Sequence, residues 1–198
     1  MAGTDTKQAT TAPIEQRVAA VERVLEFRAG EAGLSVDGLV EHIDEHYIAE
    51  NGARVVARAW TDADFKARLL EDSKAAIAEF NIRMPPHHRQ LVVLENTPDV
   101  HNVIVCTLCS CTAMALIGPP PDWYKDFEYR ARVVRESRTV LGEMGCALPP
   151  ETEIRVWDTT ADTRYMVLPV QPPETFGWPE EKLAAIVTRD ALIGVARL

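Results

Sequence analysis

The chain has 198 residues, 46% hydrophobic and 26% charged, with 21 Lys+Arg against 30 Asp+Glu and a formal charge of −9. An acidic chain whose basic residues are scattered lacks the clustered Lys/Arg footprint that nucleic acid requires, and the composition excludes whole-chain disorder. No apolar run approaches the ~18 residues that span a bilayer, and the N-terminus lacks the apolar segment of a signal peptide, so the expectation is a cytoplasmic protein with neither a membrane nor a nucleic-acid partner.

Proline divides the chain. Of 13 prolines only Pro13 precedes residue 85. Residues 1–13, rich in Ala and Thr, read as a mobile tail. Residues 14–84 carry no proline, which permits continuous helix. Ile14, Val18, Val21 and Leu25 recur at helical spacing, as do Leu39, Val40, Ile43 and Tyr47. Val55, Val56, Ala59 and Trp60 follow in a third helix, and a fourth starts at Thr61 or Asp62, a capping residue, carrying Phe65, Leu69, Leu70 and Ile77 on one face. These helices form an N-terminal arm, 14–84, whose apolar face calls for a partner subunit.

After Pro86 the pattern changes to short β-branched runs bounded by Pro, Asn and Asp: Leu91–Leu94, Val103–Val105, Ile154–Trp157 and Tyr165–Pro169. These predict strands. The charged, aromatic stretch Trp123–Met144 predicts one or two short helices, and Pro179–Val187 another. The fold class is therefore α+β: an N-terminal helical arm, then a compact α+β metal-binding domain over 85–198.

The chemistry concentrates in Cys106-Thr107-Leu108-Cys109-Ser110-Cys111. Three cysteines in six residues are too close to staple distant parts of a fold, and they read as a site. A structural zinc needs a fourth protein ligand, and no second C-x-x-C follows; a thiol redox pair needs a thioredoxin-like setting that is missing here. The single residue between Cys109 and Cys111 brings the intervening backbone amides against a bound ion. Three sulfurs and two deprotonated amides would leave one octahedral position open and favour a trivalent Lewis acid over zinc.

Val105 to Cys111 resembles the metal-binding signature of nitrile hydratase α-subunits. Asn51 to Trp60, Glu95 to Pro98, His101-Asn102, Pro120 to Lys125, Phe127 to Arg130, Val133 to Glu136, Thr188 to Asp190 and Leu192 to Val195 resemble the same family, so the likeness covers roughly residues 14–198. It implies hydration of a small-molecule nitrile to the amide at a non-corrin metal. Cys106 would be the unmodified thiolate, Cys109 a sulfinate and Cys111 a sulfenate with the catalytic role, while the backbone nitrogens of Ser110 and Cys111 complete the metal set. Thr107 is the residue of the cobalt variant, which implies Co(III) ahead of Fe(III). The resemblance also implies a β-subunit partner, whose arginines bond the oxidised cysteines, and an activator that delivers cobalt. A thiocyanate hydrolase metal subunit shares the hexapeptide and is the enzymatic alternative; a non-catalytic metal-binding subunit is the other.

Two stretches depart from the family. Thr112-Ala113-Met114-Ala115 stands where members carry Tyr-Pro-Trp-Pro, which predicts a looser backbone, emptied volume and a larger, heteroaromatic nitrile; the three-subunit toyocamycin nitrile hydratases, acting on a nucleoside nitrile, are a branch of that kind. Pro86-His87-His88-Arg89-Gln90 replaces Gln-Gly-Glu-His, so His87 reads first as a solvated loop histidine and second as a candidate for the missing glutamine's hydrogen bond. His42-Ile43-Asp44-Glu45-His46 fits a zinc peptidase pattern, without a downstream acidic ligand. Arg130, Arg132, Arg135 and Arg138 read as a solvated or subunit-facing surface, and Cys146 as a small buried hydrophobe.

Overall fold

A computed structural model of the protein describes residues 12–31 and 35–198. All but the last two residues of the expected tail lie outside that range. The chain forms two compact units, the first ending at His46 and the second running Tyr47–Leu198. In the first unit, α1 (Ile14–Glu31) and α2 (Val36–His46) follow the predicted helical spacing. Ile14, Val18, Val21, Val24, Leu25 and Phe27 of α1 are exposed.

In the second unit, α3 (Ala49–Thr61) turns Val55, Val56 and Ala57 into the core with no exposed surface. Gly52 lets α3 lie against the backbone at Leu116, since a Cβ there would strike the Leu116 carbonyl oxygen and the Leu192 side chain. The expected fourth helix is two. Asp62 caps α4 (Ala63–Glu71), its Oδ1 accepting from the Phe65 N–H at 2.9 Å, and Asp72 caps α5 (Ser73–Ala78), accepting from Ala75 N–H at 3.0 Å. Two capping aspartates ten residues apart restart the helix, so Phe65 and Ile77 enter the core from different segments. The stretch 14–84 is thus divided: 14–46 stand as one unit, and 47–84 are built into the unit that holds the cysteines.

The four predicted strands form as β1 (Gln90–Glu95), β2 (Val100–Val105), β3 (Glu153–Asp158) and β4 (Thr163–Leu168). They pair in parallel as β1 with β4 and β2 with β3, the latter in the register Val100↔Glu153 to Val105↔Asp158. Parallel strands need a crossover. Between β2 and β3 it consists of α6 (Met114–Ile117), α7 (Asp122–Lys125) and α8 (Phe127–Glu143), the last non-helical at Glu136. α9 (Glu180–Ala184) and α10 (Arg189–Ile193) close the unit. Gly194, with φ +93°, lies so close to the Asn102 backbone that no side chain fits. No helix among the described residues is long and apolar enough to cross a membrane.

Candidate metal centre

The site begins where the β2–β3 ladder ends. Val105 is paired with Asp158, and Thr159 extends the ladder by one step: its N–H donates to the Val105 carbonyl at 2.8 Å and its hydroxyl to the same oxygen at 3.0 Å. Cys106 therefore leaves the strand from a fixed origin at the carboxyl ends of a parallel pair, the edge where open α/β sheets hold ligands. It is buried, Cys109 is exposed and Cys111 lies between.

All three Sγ atoms lie within 4.8 Å of one another, Cys106 to Cys109 at 3.3 Å and Cys109 to Cys111 at 2.9 Å. All are free thiols. Among the described residues this is the only His/Cys/Asp/Glu group that could hold an ion with three or more ligands. The amide N–H groups of Ser110 and Cys111 face the Cys109 sulfur.

Electrostatics separate the three. The Cys109 thiol is drawn down to about 7, first by its hydrogen bond with Cys111 and then, against burial, by Cys106 and the two amides. The Cys111 thiol is pushed up to about 11 by burial and by yielding its proton to that same bond, while the Arg164 charge opposes the rise. The two sulfurs are linked through that hydrogen bond, and Cys109 is the more acidic of the pair.

The loop is held from three sides. Asp158 clamps Thr107, accepting from its N–H at 3.0 Å and its hydroxyl at 2.5 Å. From α8, Arg130 donates to the Cys109 carbonyl at 2.8 Å; from α7, the Tyr124 hydroxyl donates to the Cys111 carbonyl at 3.3 Å. Tyr124 packs with Trp123 and Tyr129, whose ring centroids lie 5.0–5.9 Å apart, and the Tyr129 hydroxyl donates to the Ile104 carbonyl at 2.9 Å. Burial raises both phenols well above the usual tyrosine range, so they act as neutral donors.

The surroundings correct several readings. Arg130 is not a surface residue: it is 8% exposed, on the same helical face as Val133. Its spacing from Val133 was the sequence signal for this, masked by three neighbouring arginines. Arg132 does lie outside, bonded to Glu128, Glu136 and Glu143, while Arg138 ties the β3 entry through the Thr152 carbonyl. His87 is exposed, and His88 is the buried one of the pair, pushed down to about 4 by burial and the Arg164 charge. Cys146 is buried as expected, 3.9 Å from His101, whose ring nitrogens meet Asn96 and the Gly194 carbonyl. His42 and His46 stack at 4.2 Å without forming a metal-ligating group of three. The Thr112–Ala115 stretch is well tied, not loose. Thr112 donates to the Gly118 carbonyl at 3.2 Å, the Ala113 carbonyl accepts from Leu116 and Ile117, and both alanines are buried. Three surface clefts, of about 500, 470 and 450 Å³, are lined by residues other than the hexapeptide.

The family profile described as "Nitrile hydratase, alpha chain" matches residues 12–196. The chain belongs to the nitrile hydratase α-chain family. A nitrile hydratase subunit alpha from Rhodococcus sp is 50% identical over 94% of each chain. A low-molecular weight cobalt-containing subunit from Rhodococcus rhodochrous is 44% identical over 96% of this chain and 93% of that one. Among solved structures, a double mutant of Fe-type nitrile hydratase from Comamonas testosteroni Ni1 superposes with a TM-score of 0.86 at 52% identity, covering 93% of this chain and 90% of that one. The gamma subunit of thiocyanate hydrolase from Thiobacillus thioparus is 44% identical, but over 73% of this chain and 63% of that one. The converging sulfurs, inward amides and pinned loop of this α chain fit the soft, anionic donor set that a low-spin trivalent ion takes.

Proposed function

We propose that this chain is the metal-bearing subunit of a nitrile hydratase that converts a nitrile to its amide with non-corrin Co(III) as cofactor. The observation that carries the reading is the convergence of Cys106, Cys109 and Cys111 on one point at the end of β2. Cys106, Cys109 and Cys111 would hold the ion through sulfur, and Ser110 and Cys111 through backbone nitrogen. Bound there, the ion supplies a Lewis acid that makes the carbon of a nitrile electrophilic.

The rest falls to the chain's own groups. Oxidation of the metal-bound thiolates by dioxygen would carry Cys109, the exposed one, to sulfinate and leave Cys111, half-buried, at sulfenate, as the family resemblance implies. The Cys111 oxygen then acts as the nucleophile or takes the proton of an attacking water. Asp158, Arg130 and Tyr124 hold the loop still while this happens.

Thr107 and the cobalt-containing relative support cobalt over iron, although the Fe-type enzyme, at 52% identity against 44%, is the more similar in sequence. A β subunit completes the site, contributing arginines against the oxidised sulfurs, and a separate activator delivers the metal. The Thr112-Ala113-Met114-Ala115 stretch supports a bulky heteroaromatic substrate, such as a nucleoside nitrile. Thiocyanate hydrolysis is the second reading, supported by the likeness to that enzyme's gamma subunit.

The test is co-production with the β partner in cobalt medium, followed by elemental analysis, peptide mass and turnover. Cobalt at one per chain, sulfinate and sulfenate oxygens on the 106–111 peptide, and amide from a nitrile are expected. Zinc with three unmodified cysteines would overturn the reading, and carbonyl sulfide from thiocyanate without amide from nitriles would transfer it to the rival.

A further inference from the structure

Arg130 is a buried cation without an anion. It is 8% exposed, no carboxylate lies within ion-pair distance of it among the described residues, and its Nε is buried with no hydrogen-bond partner. A guanidinium in that position is costly unless something compensates it. What it does touch is specific. Nη1 donates to the Cys109 carbonyl at 2.8 Å, and the Phe127 ring lies 4.5 Å from the guanidinium carbon.

The Cys109 carbonyl belongs to the same peptide group as the Ser110 nitrogen. One edge of that peptide is bonded to Arg130, and the other presents its N–H to the Cys109 sulfur. A rigid planar group held at its oxygen cannot turn its nitrogen away. Three sulfur anions and two amide anions also carry more negative charge than a trivalent ion cancels, so the loaded loop would be the missing counter-charge.

We infer that Arg130 is a positioning residue for the metal centre, holding the Cys109–Ser110 peptide so that the Ser110 nitrogen faces the sulfurs and balancing the charge of the loaded loop. The inference rests on the reading of the hexapeptide as a trivalent-metal site. It separates Arg130 from the other three arginines of α8, which bond surface carboxylates or backbone carbonyls elsewhere.

The test uses the α chain co-produced with its partner in cobalt medium, as wild type and as the variants Arg130→Met, Arg130→Lys and, as a control, Arg132→Gln. Three readouts apply: cobalt per chain, the sulfur-to-metal absorption of the loaded complex, and the rate of metal loss to a chelator. In Arg130→Met, metal loss at least about tenfold faster and a shifted absorption band are expected, the size of effect usual for groups that orient metal ligands. Arg130→Lys keeps the charge but not the planar fork, so metal content recovers while the band stays shifted. Arg132→Gln should match wild type. Should Arg130→Met fail to fold, Arg130→Lys decides by its band. Cobalt in the wild type together with wild-type absorption and metal loss in both Arg130 variants would overturn the inference alone. A wild type holding zinc or no metal would overturn the reading of the hexapeptide, and this inference with it.

Discussion

The two parallel strand pairs are built alike and end differently. At the carboxyl end of β2–β3 the chain leaves Val105 into a loop that gathers three thiols and keeps one of them exposed. At the carboxyl end of β1, Asn96 closes the corner into β2: its Oδ1 accepts from the Asn102 N–H at 2.8 Å and side-chain amide at 3.0 Å, and its own amide meets His101 at 3.3 Å. Thr97 and Val100 bond each other through two further hydrogen bonds at 2.9 and 3.1 Å. One end satisfies its polar groups internally and is inert. The other leaves three sulfurs facing one another, a donor set that a cation can satisfy.

If that contrast is right, changes at the two ends dissociate metal binding from stability. Cys106→Ala removes the buried sulfur and should abolish cobalt uptake and nitrile hydration with little change in unfolding midpoint, read by elemental analysis, turnover and thermal melting of the complex. Asp158→Ala frees Thr107 and should cost roughly 10–100-fold in metal affinity or turnover, the range for outer groups that orient ligands; a variant with full metal content and turnover would break the contrast at its reactive end. Asn96→Ala leaves the Asn102 N–H and His101 without their partner and should destabilise by about 1–3 kcal/mol, measured by denaturant unfolding, with cobalt per folded chain unchanged.

Acid probes the entry to β1, where His88 lies beside Arg164 of β4. The folded state holds His88 at about 4, below its ordinary 6.5, so the unfolded chain binds more protons and the contribution is complete above about 6.5 and lost as pH falls toward 4. His88→Gln should flatten the decline in stability across that window; an unchanged decline would place the acid sensitivity elsewhere. The smallest effect is expected at the far end of β1. There Lys66 pairs with Glu95, both about one-third exposed, and Lys66→Gln should cost no more than about 1 kcal/mol and weaken in effect with added salt.

Much of this arrangement was legible beforehand. Proline distribution separated the helical stretch from the strands, and β-branched runs located three of the four strands to within two residues and missed the first three residues of β2. The hexapeptide announced a metal site because its chemistry is local: three soft donors and two amides lie within six residues whatever the rest of the chain does. Other features were hidden for physical reasons. Helical spacing in α1 and α3 looks equivalent, yet Val55 and Val56 are wholly buried while Val21 and Phe27 are exposed. The spacing shows that an apolar face exists and not what lies opposite. Arg130 was hidden by its charge, which reads as surface until a helix face and a loop carbonyl are brought together 21 residues apart. The Thr112–Ala115 stretch was expected to loosen the loop; a hydrogen bond donated by Thr112 and two accepted by the Ala113 carbonyl tie it instead, and composition does not register such bonds.

The sequence by itself determined the cysteine cluster, the fold class, the four strands and the family, because residue type, proline placement and residue period are properties of neighbouring residues. Only the tertiary structure decided that the strands pair in parallel, that β3 delivers Asp158 to Thr107 across 51 positions, and that a helix delivers Arg130 to Cys109. Those contacts join segments through the βαβ crossover, and no local pattern specifies which distant group will satisfy a loop's carbonyl or hydroxyl.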